Sequence, residues 1–132
     1  MLLSDDARMS HSVLIVDDHA GFRSWARVLL EMQGYTVVGD VEDGASAVAA
    51  VRSLRPDVVL LDVRLPDIDG FEVIRRLARE GIAACVVLVS SRDAEDFGGA
   101  LERSGAQGFV AKAELSAAAL DAVLAGYRMS DS

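Results

Sequence analysis

At 132 residues the chain has the length of one domain, and its 52% hydrophobic and 26% charged residues supply a core and exclude general disorder. A net charge of −8 argues against direct nucleic-acid binding by this chain, because gripping phosphates needs clustered Lys and Arg. No apolar stretch reaches the ~20 residues of a membrane span, and the single cysteine, Cys85, allows no internal disulfide. Cys85 reads as a small buried apolar residue in a reducing compartment.

Residues 1–11 lack a basic region followed by an apolar core, so they read as a flexible arm rather than an export signal, and a cytoplasmic location is expected. The domain is expected over residues 12–128, with 129–132 a short tail. Strand and helix signals then alternate five times. The first strand is expected at 13–16. Phe22, Trp25, Ala26, Leu29 and Gln33 follow helical spacing as an inward stripe, and Gly34 ends that helix. A short second strand is expected at 36–38. Asp43 is placed to cap a helix with Ala47, Val48, Val51 and Leu54 on one face, stopped by Pro56. The third strand, 58–61, leads through a Pro- and Asp-rich loop into a helix with Phe71, Ile74 and Leu77 inward. Asp69 and Glu72 have capping-box spacing there. The fourth strand is expected at 86–89. The helix expected over 93–103 carries Gly98-Gly99, each costing about 1 kcal/mol against alanine. A fifth strand at 109–111 and an Ala-rich helix over 116–127 complete the pattern.

Apolar runs rich in Val and Leu read as parallel strands buried on both faces. Five such units predict a doubly wound, flavodoxin-like (βα)5 sandwich with a parallel sheet in the order 2-1-3-4-5. That order makes neighbours of the four strands that end in polar signals: Asp17-Asp18, Asp62, Ser90 and Lys112. The order 3-2-1-4-5 would instead scatter them. Ligand chemistry in such sheets gathers at the carboxyl ends of the strands. The three carboxylates repel one another, which raises pKa values or recruits a cation, and hard oxygen ligands suit Mg²⁺. A carboxylate is a competent nucleophile toward phosphorus, and Lys112 would neutralise the transferring group. Taken singly, each residue also has an ordinary reading as a loop, cap or surface side chain; their joint placement argues for a site. His19 reads as local hydrogen bonding, His11 as solvated and Trp25 as core.

With these residues in view, the chain resembles a response-regulator receiver domain of bacterial two-component signalling, from about residue 12 to 127. The resemblance rests on Val16-Asp17-Asp18-His19, Leu61-Asp62-Val63-Arg64-Leu65-Pro66-Asp67-Ile68-Asp69-Gly70, Val89-Ser90-Ser91 and Gly108-Phe109-Val110-Ala111-Lys112-Ala113. It implies that Asp62 accepts phosphate from a phosphohistidine of a histidine kinase or a histidine phosphotransfer protein. It also implies Mg²⁺ held by Asp18, by Asp17 largely through water, by Asp62 and by the Arg64 backbone carbonyl. Ser90 and Phe109 would be the switch pair, altering the face of helix 4, strand 5 and helix 5. Ala113 stands where many receivers have Pro, Ser90 replaces the commoner Thr and Phe109 the commoner Tyr. Arg64 and Arg92, flanking the site, are expected to set phosphate lifetime.

The sequence is most similar to receivers that usually carry a helix-turn-helix output domain. Both a stand-alone receiver and a fragment of a DNA-binding regulator therefore remain open, as does a homodimer. Such a chain would catalyse only its own phosphorylation and dephosphorylation. Two further readings stay open: a phosphorylation-independent pseudo-receiver for docking or dimerisation, and an aspartyl-nucleophile phosphatase. Against the second, the first strand is followed by adjacent Asp residues rather than a pair two positions apart.

Overall fold

The computed structural model describes residues 11–131. Five parallel strands, β1 (Ser12–Val16), β2 (Thr36–Val41), β3 (Val58–Asp62), β4 (Cys85–Ser90) and β5 (Gly108–Ala111), form one sheet in the order β2-β1-β3-β4-β5. They alternate with α1 (Ala20–Met32), α2 (Gly44–Leu54), α3 (Gly70–Arg79), a single turn α4 (Ala100–Arg103) and α5 (Ala117–Asp131). This is the expected doubly wound sandwich in the expected strand order.

Side chains alternate across each strand, and both faces are covered. Val13, Ile15, Val58, Leu60, Val87 and Val89 pack with Ala26 and Leu30 of α1 and Leu120 and Leu124 of α5. Leu14, Val16, Val59, Leu61, Val86 and Leu88 pack with α2 and α3. Removing each such Val or Leu from water contributes on the order of 2 kcal/mol. Two loops fix where the helices begin. The Asp43 carboxylate accepts from the Ser46 N–H at 2.7 Å, as expected of the α2 cap. Asp67, from the β3–α3 loop, accepts from the N–H groups of Gly44 and Ala45 at 2.8 and 2.9 Å. One loop beside the strand ends thus caps a helix 22 residues earlier in sequence.

Several expectations need correction. Trp25 is 48% exposed and Leu54 46%, not core, and Gln33 is exposed as well; Leu30 and Val73 fill the core instead. β2 runs to Val41, because its partner β1 continues pairing through Val16. The fourth helix is not continuous. Ala94–Phe97 is a 3-10 turn, Gly98 takes φ +57° and only Ala100–Arg103 is α-helical. A left-handed φ ends a helix, and glycine adopts it without penalty. The capping box expected at Asp69 and Glu72 is half formed: Asp69 accepts from the Glu72 N–H at 2.9 Å, while the Glu72 carboxylate turns to Arg75, Arg76 and Arg79. The reciprocal box occurs at Asp93 and Asp96. α5 continues to Asp131, past the expected end at Tyr127 and into the expected tail. The arm expected over residues 1–11 lies, apart from His11, outside the described residues.

Candidate functional site

Because β2 lies at one edge of the sheet, the carboxyl ends of β1, β3, β4 and β5 lie side by side. Asp17 follows β1, and its N–H donates to Val41 O at 3.1 Å, which fixes it to the sheet. Asp62 and Ser90 are the last residues of β3 and β4. Lys112 directly follows β5. Asp17, Asp62 and Ser90 are buried, and all three sit at this one edge. Burying polar groups is costly, so their concentration marks a site rather than a stabilising feature.

Lys112 Nζ lies 2.5 Å from Asp17 Oδ2 and 3.2 Å from Asp62 Oδ2, and 4.6 Å above the centroid of the Phe22 ring. Burial works against the ammonium, but Asp17 and Asp62 outweigh it and raise the Lys112 pKa. Burial first, and the Asp17 charge second, push the Asp62 carboxyl up to about 6, with Lys112 pulling the other way. Asp18 stands further out, its side chain 39% exposed. The His19 N–H donates to Asp17 Oδ1 at 2.8 Å, and its ring Nδ1 lies 3.1 Å from Asp18 Oδ1, which agrees with the local hydrogen bonding expected of it. Arg23 donates from Nη1 to the Asp17 carbonyl at 2.7 Å and joins Arg27 on Asp40, bracing the turn between β1 and α1.

These groups open on a cavity of about 220 Å³ lined by Asp18, His19, Asp62, Arg64, Ser90 and Lys112 among others. The cluster fits a hard divalent cation. Oxygens of Asp17, Asp18 and Asp62, with the His19 ring, lie within 4.8 Å of one another. Asp17 Oδ2 is buried against the Lys112 ammonium at 2.5 Å, which leaves Oδ1 as the Asp17 oxygen toward Asp18 and His19. Three carboxylates against one ammonium leave the pocket negative, and the exposed Asp18 leaves room for water.

The structure also places the remaining expected residues. The Arg64 N–H donates to Asp62 Oδ1 at 3.3 Å, and Arg64 lines the cavity. Arg92 is exposed and outside the lining; its N–H donates to Ser90 Oγ at 3.0 Å. Phe109 lies on β5 opposite Leu88, half-buried, with its ring 6.0 Å from that of Phe97, which lies 6.2 Å from Phe71. The sequence pattern does not mark Phe22, Arg23, Phe97 and Phe71 as site neighbours. Phe22 and Lys112 are 90 residues apart, and no local spacing connects them.

The chain is similar to several known proteins. The family model of the response regulator receiver domain matches residues 13–124. The response regulator GacA of Pseudomonas aeruginosa is 38% identical over 120 residues, covering 88% of this chain and 56% of that protein. The nitrate/nitrite response regulator protein NarP of Escherichia coli is 36% identical over 119 residues, covering 89% of this chain and 55% of that protein. The chain thus spans a little over half the length of the curated relatives it matches. Among solved structures, a two-component response regulator of the LuxR family from Aurantimonas sp. SI85-9A1 superimposes with a TM-score of 0.79 at 32% identity, over 88% of this chain and 86% of that one.

Proposed function

Since the chain belongs to the response regulator receiver domain family of two-component signalling, we propose that it is a phosphorylation-dependent switch with Asp62 as phosphoacceptor. The observation that carries this reading is the buried Asp62 carboxylate, held 3.2 Å from the Lys112 ammonium and facing a cavity bordered by Asp18 and Ser90. The donor is a histidine kinase or a histidine phosphotransfer protein. An Asp62 oxygen forms a bond to phosphorus as the N–P bond of the phosphohistidine breaks, and the released imidazole takes a proton. Charge neutralisation on the phosphoryl oxygens is the chemistry a Mg²⁺ ion supplies when held by Asp17, Asp18, Asp62 and the Arg64 carbonyl.

Lys112 adds positive charge from the other side, and a phosphorylated Asp62 competes with Asp17 for it. The Ser90 hydroxyl, which already accepts from Arg92, keeps its own proton free to donate to a phosphoryl oxygen. As Ser90 turns inward, Phe109 follows, and the packing of its ring on Phe97 passes the change to the surface of α4, β5 and α5. Arg64 and Arg92 set the lifetime of the acyl phosphate by hindering or orienting water; unchanged dephosphorylation in Arg64→Ala and Arg92→Ala would refute that role.

In this reading the chain acts on no outside substrate. It works in the cytoplasm, where its donors present their phosphohistidines, and none of its described helices is long and apolar enough to cross a membrane. It serves as a stand-alone receiver or as the receiver part of a DNA-binding regulator, with a homodimer as one route to output. The test is intact-mass detection of phosphorylation by a small phosphoryl donor, with and without Mg²⁺, on the wild type and on Asp62→Asn. A single Mg²⁺-dependent adduct, lost in the variant, is expected. A folded wild type that takes no phosphate would instead support a phosphorylation-independent docking module.

A further inference from the structure

His19 immediately precedes α1, with 72% of its side chain exposed, and its side chain makes no hydrogen bond capping that helix. Its ring folds back over the acidic pair, placing Nδ1 3.2 Å from Asp17 Oδ1 and 3.1 Å from Asp18 Oδ1. The two oxygens of Asp17 divide the space around them. Oδ2 faces the Lys112 ammonium at 2.5 Å, and Oδ1 faces His19. A cation avoids the ammonium side by charge repulsion, so it reaches Asp17 at Oδ1. That oxygen accepts the His19 N–H at 2.8 Å, and its other contact is the His19 ring Nδ1 at 3.2 Å, which a cation bound to both atoms would replace. There the cation meets the imidazole nitrogen. Neighbouring ligands of an octahedral ion bound at about 2.1 Å stand about 3 Å apart, and Nδ1 already has that spacing from both carboxylates.

Ligand softness then separates two classes of ion. Mg²⁺ takes oxygen and leaves an imidazole aside, whereas Ni²⁺ and Zn²⁺ bind imidazole well. We propose that His19 is an additional ligand of this cluster for imidazole-accepting divalent cations, and so determines the cation selectivity of the site. The proposal rests on the reading of Asp17, Asp18 and Asp62 as the divalent-cation centre. Mg²⁺ occupies the oxygens alone, and Ni²⁺ or Zn²⁺ adds Nδ1. The imidazole adds to the advantage that transition cations already hold over Mg²⁺ at carboxylate oxygens.

The experiment is isothermal titration calorimetry of the whole chain with Mg²⁺ and, separately, with Ni²⁺, for wild type, His19→Ala, His11→Ala and Asp18→Asn. His19 is exposed, so its truncation leaves the core intact. His19→Ala is expected to weaken Ni²⁺ binding by about tenfold or more while changing Mg²⁺ binding by less than about twofold. Equal changes for the two ions would show that His19 only hydrogen-bonds, and would overturn the proposal. So would a Ni²⁺ affinity that responds to His11→Ala and not to His19→Ala. Failure of the underlying cation-site reading has a different signature: Asp18→Asn would then leave both affinities at their wild-type values.

Discussion

Asp62 combines burial with charge, and this makes its stability cost measurable. Its carboxyl titrates at about 6 in the fold, against an ordinary 3.8. The raised value means that the folded state holds the proton more tightly than the unfolded chain does. The resulting stabilisation is fully present below about pH 4 and is lost as the pH rises through about 6. Above that, in protein free of divalent cations, the charged group opposes folding. Asp62→Asn is therefore expected to raise stability near neutral pH by about 1–3 kcal/mol, read as a higher urea midpoint in a chelating buffer. An unchanged or lower midpoint would contradict the account. The acids and Lys112 were legible in the sequence because each follows an apolar run, and the strand order brings those runs together. The base of the site was not. Phe22 beneath Lys112 and Arg23 on the Asp17 carbonyl depend on how α1 docks, which the local pattern does not encode.

At the scale of elements, caps decide where the helices stand relative to the strand ends. Asp67 is held down to about 2: the desolvation that would raise it is outweighed by the backbone N–H groups of Gly44, Ala45 and Ile68. The bond it makes to the start of α2 is therefore present above about pH 4 and is lost as the pH falls through about 2. Asp67→Ala is expected to cost about 1 kcal/mol at neutral pH, seen as a lower thermal midpoint, and little at about pH 2. An equal loss at both pH values would show that the carboxylate does not act as a cap. The reach of Asp67 to α2 was not readable from the sequence, because capping rules are local and this cap crosses from another loop. The break in the fourth helix was partly readable. Gly98-Gly99 announced weakness, but only the φ of Gly98 turns weakness into a stop.

Across the whole molecule, the alternation of strand and helix was legible, because runs of Val and Leu need cover on both faces and the intervening segments carry helical spacing. Orientation of the first helix was less so. α1 carries two apolar stripes: Ala26 and Leu30, with Phe22 and Leu29 partly buried beside them, pack on the sheet, while Trp25, Val28 and Met32 face water. Spacing alone cannot say which stripe the sheet will take, since both recur at helical intervals.

The outward stripe has a practical consequence. Trp25 is the sole tryptophan, half of its surface already meets solvent, and its nearest ring is Phe22, 5.8 Å away and itself beneath Lys112. Its emission wavelength should therefore change little when the protein unfolds, and denaturation followed by intrinsic fluorescence should show a smaller transition than backbone circular dichroism does. The same indole, separated by the single Phe22 ring from the lysine that phosphate would recruit, is expected to change its emission intensity when the acidic centre is occupied.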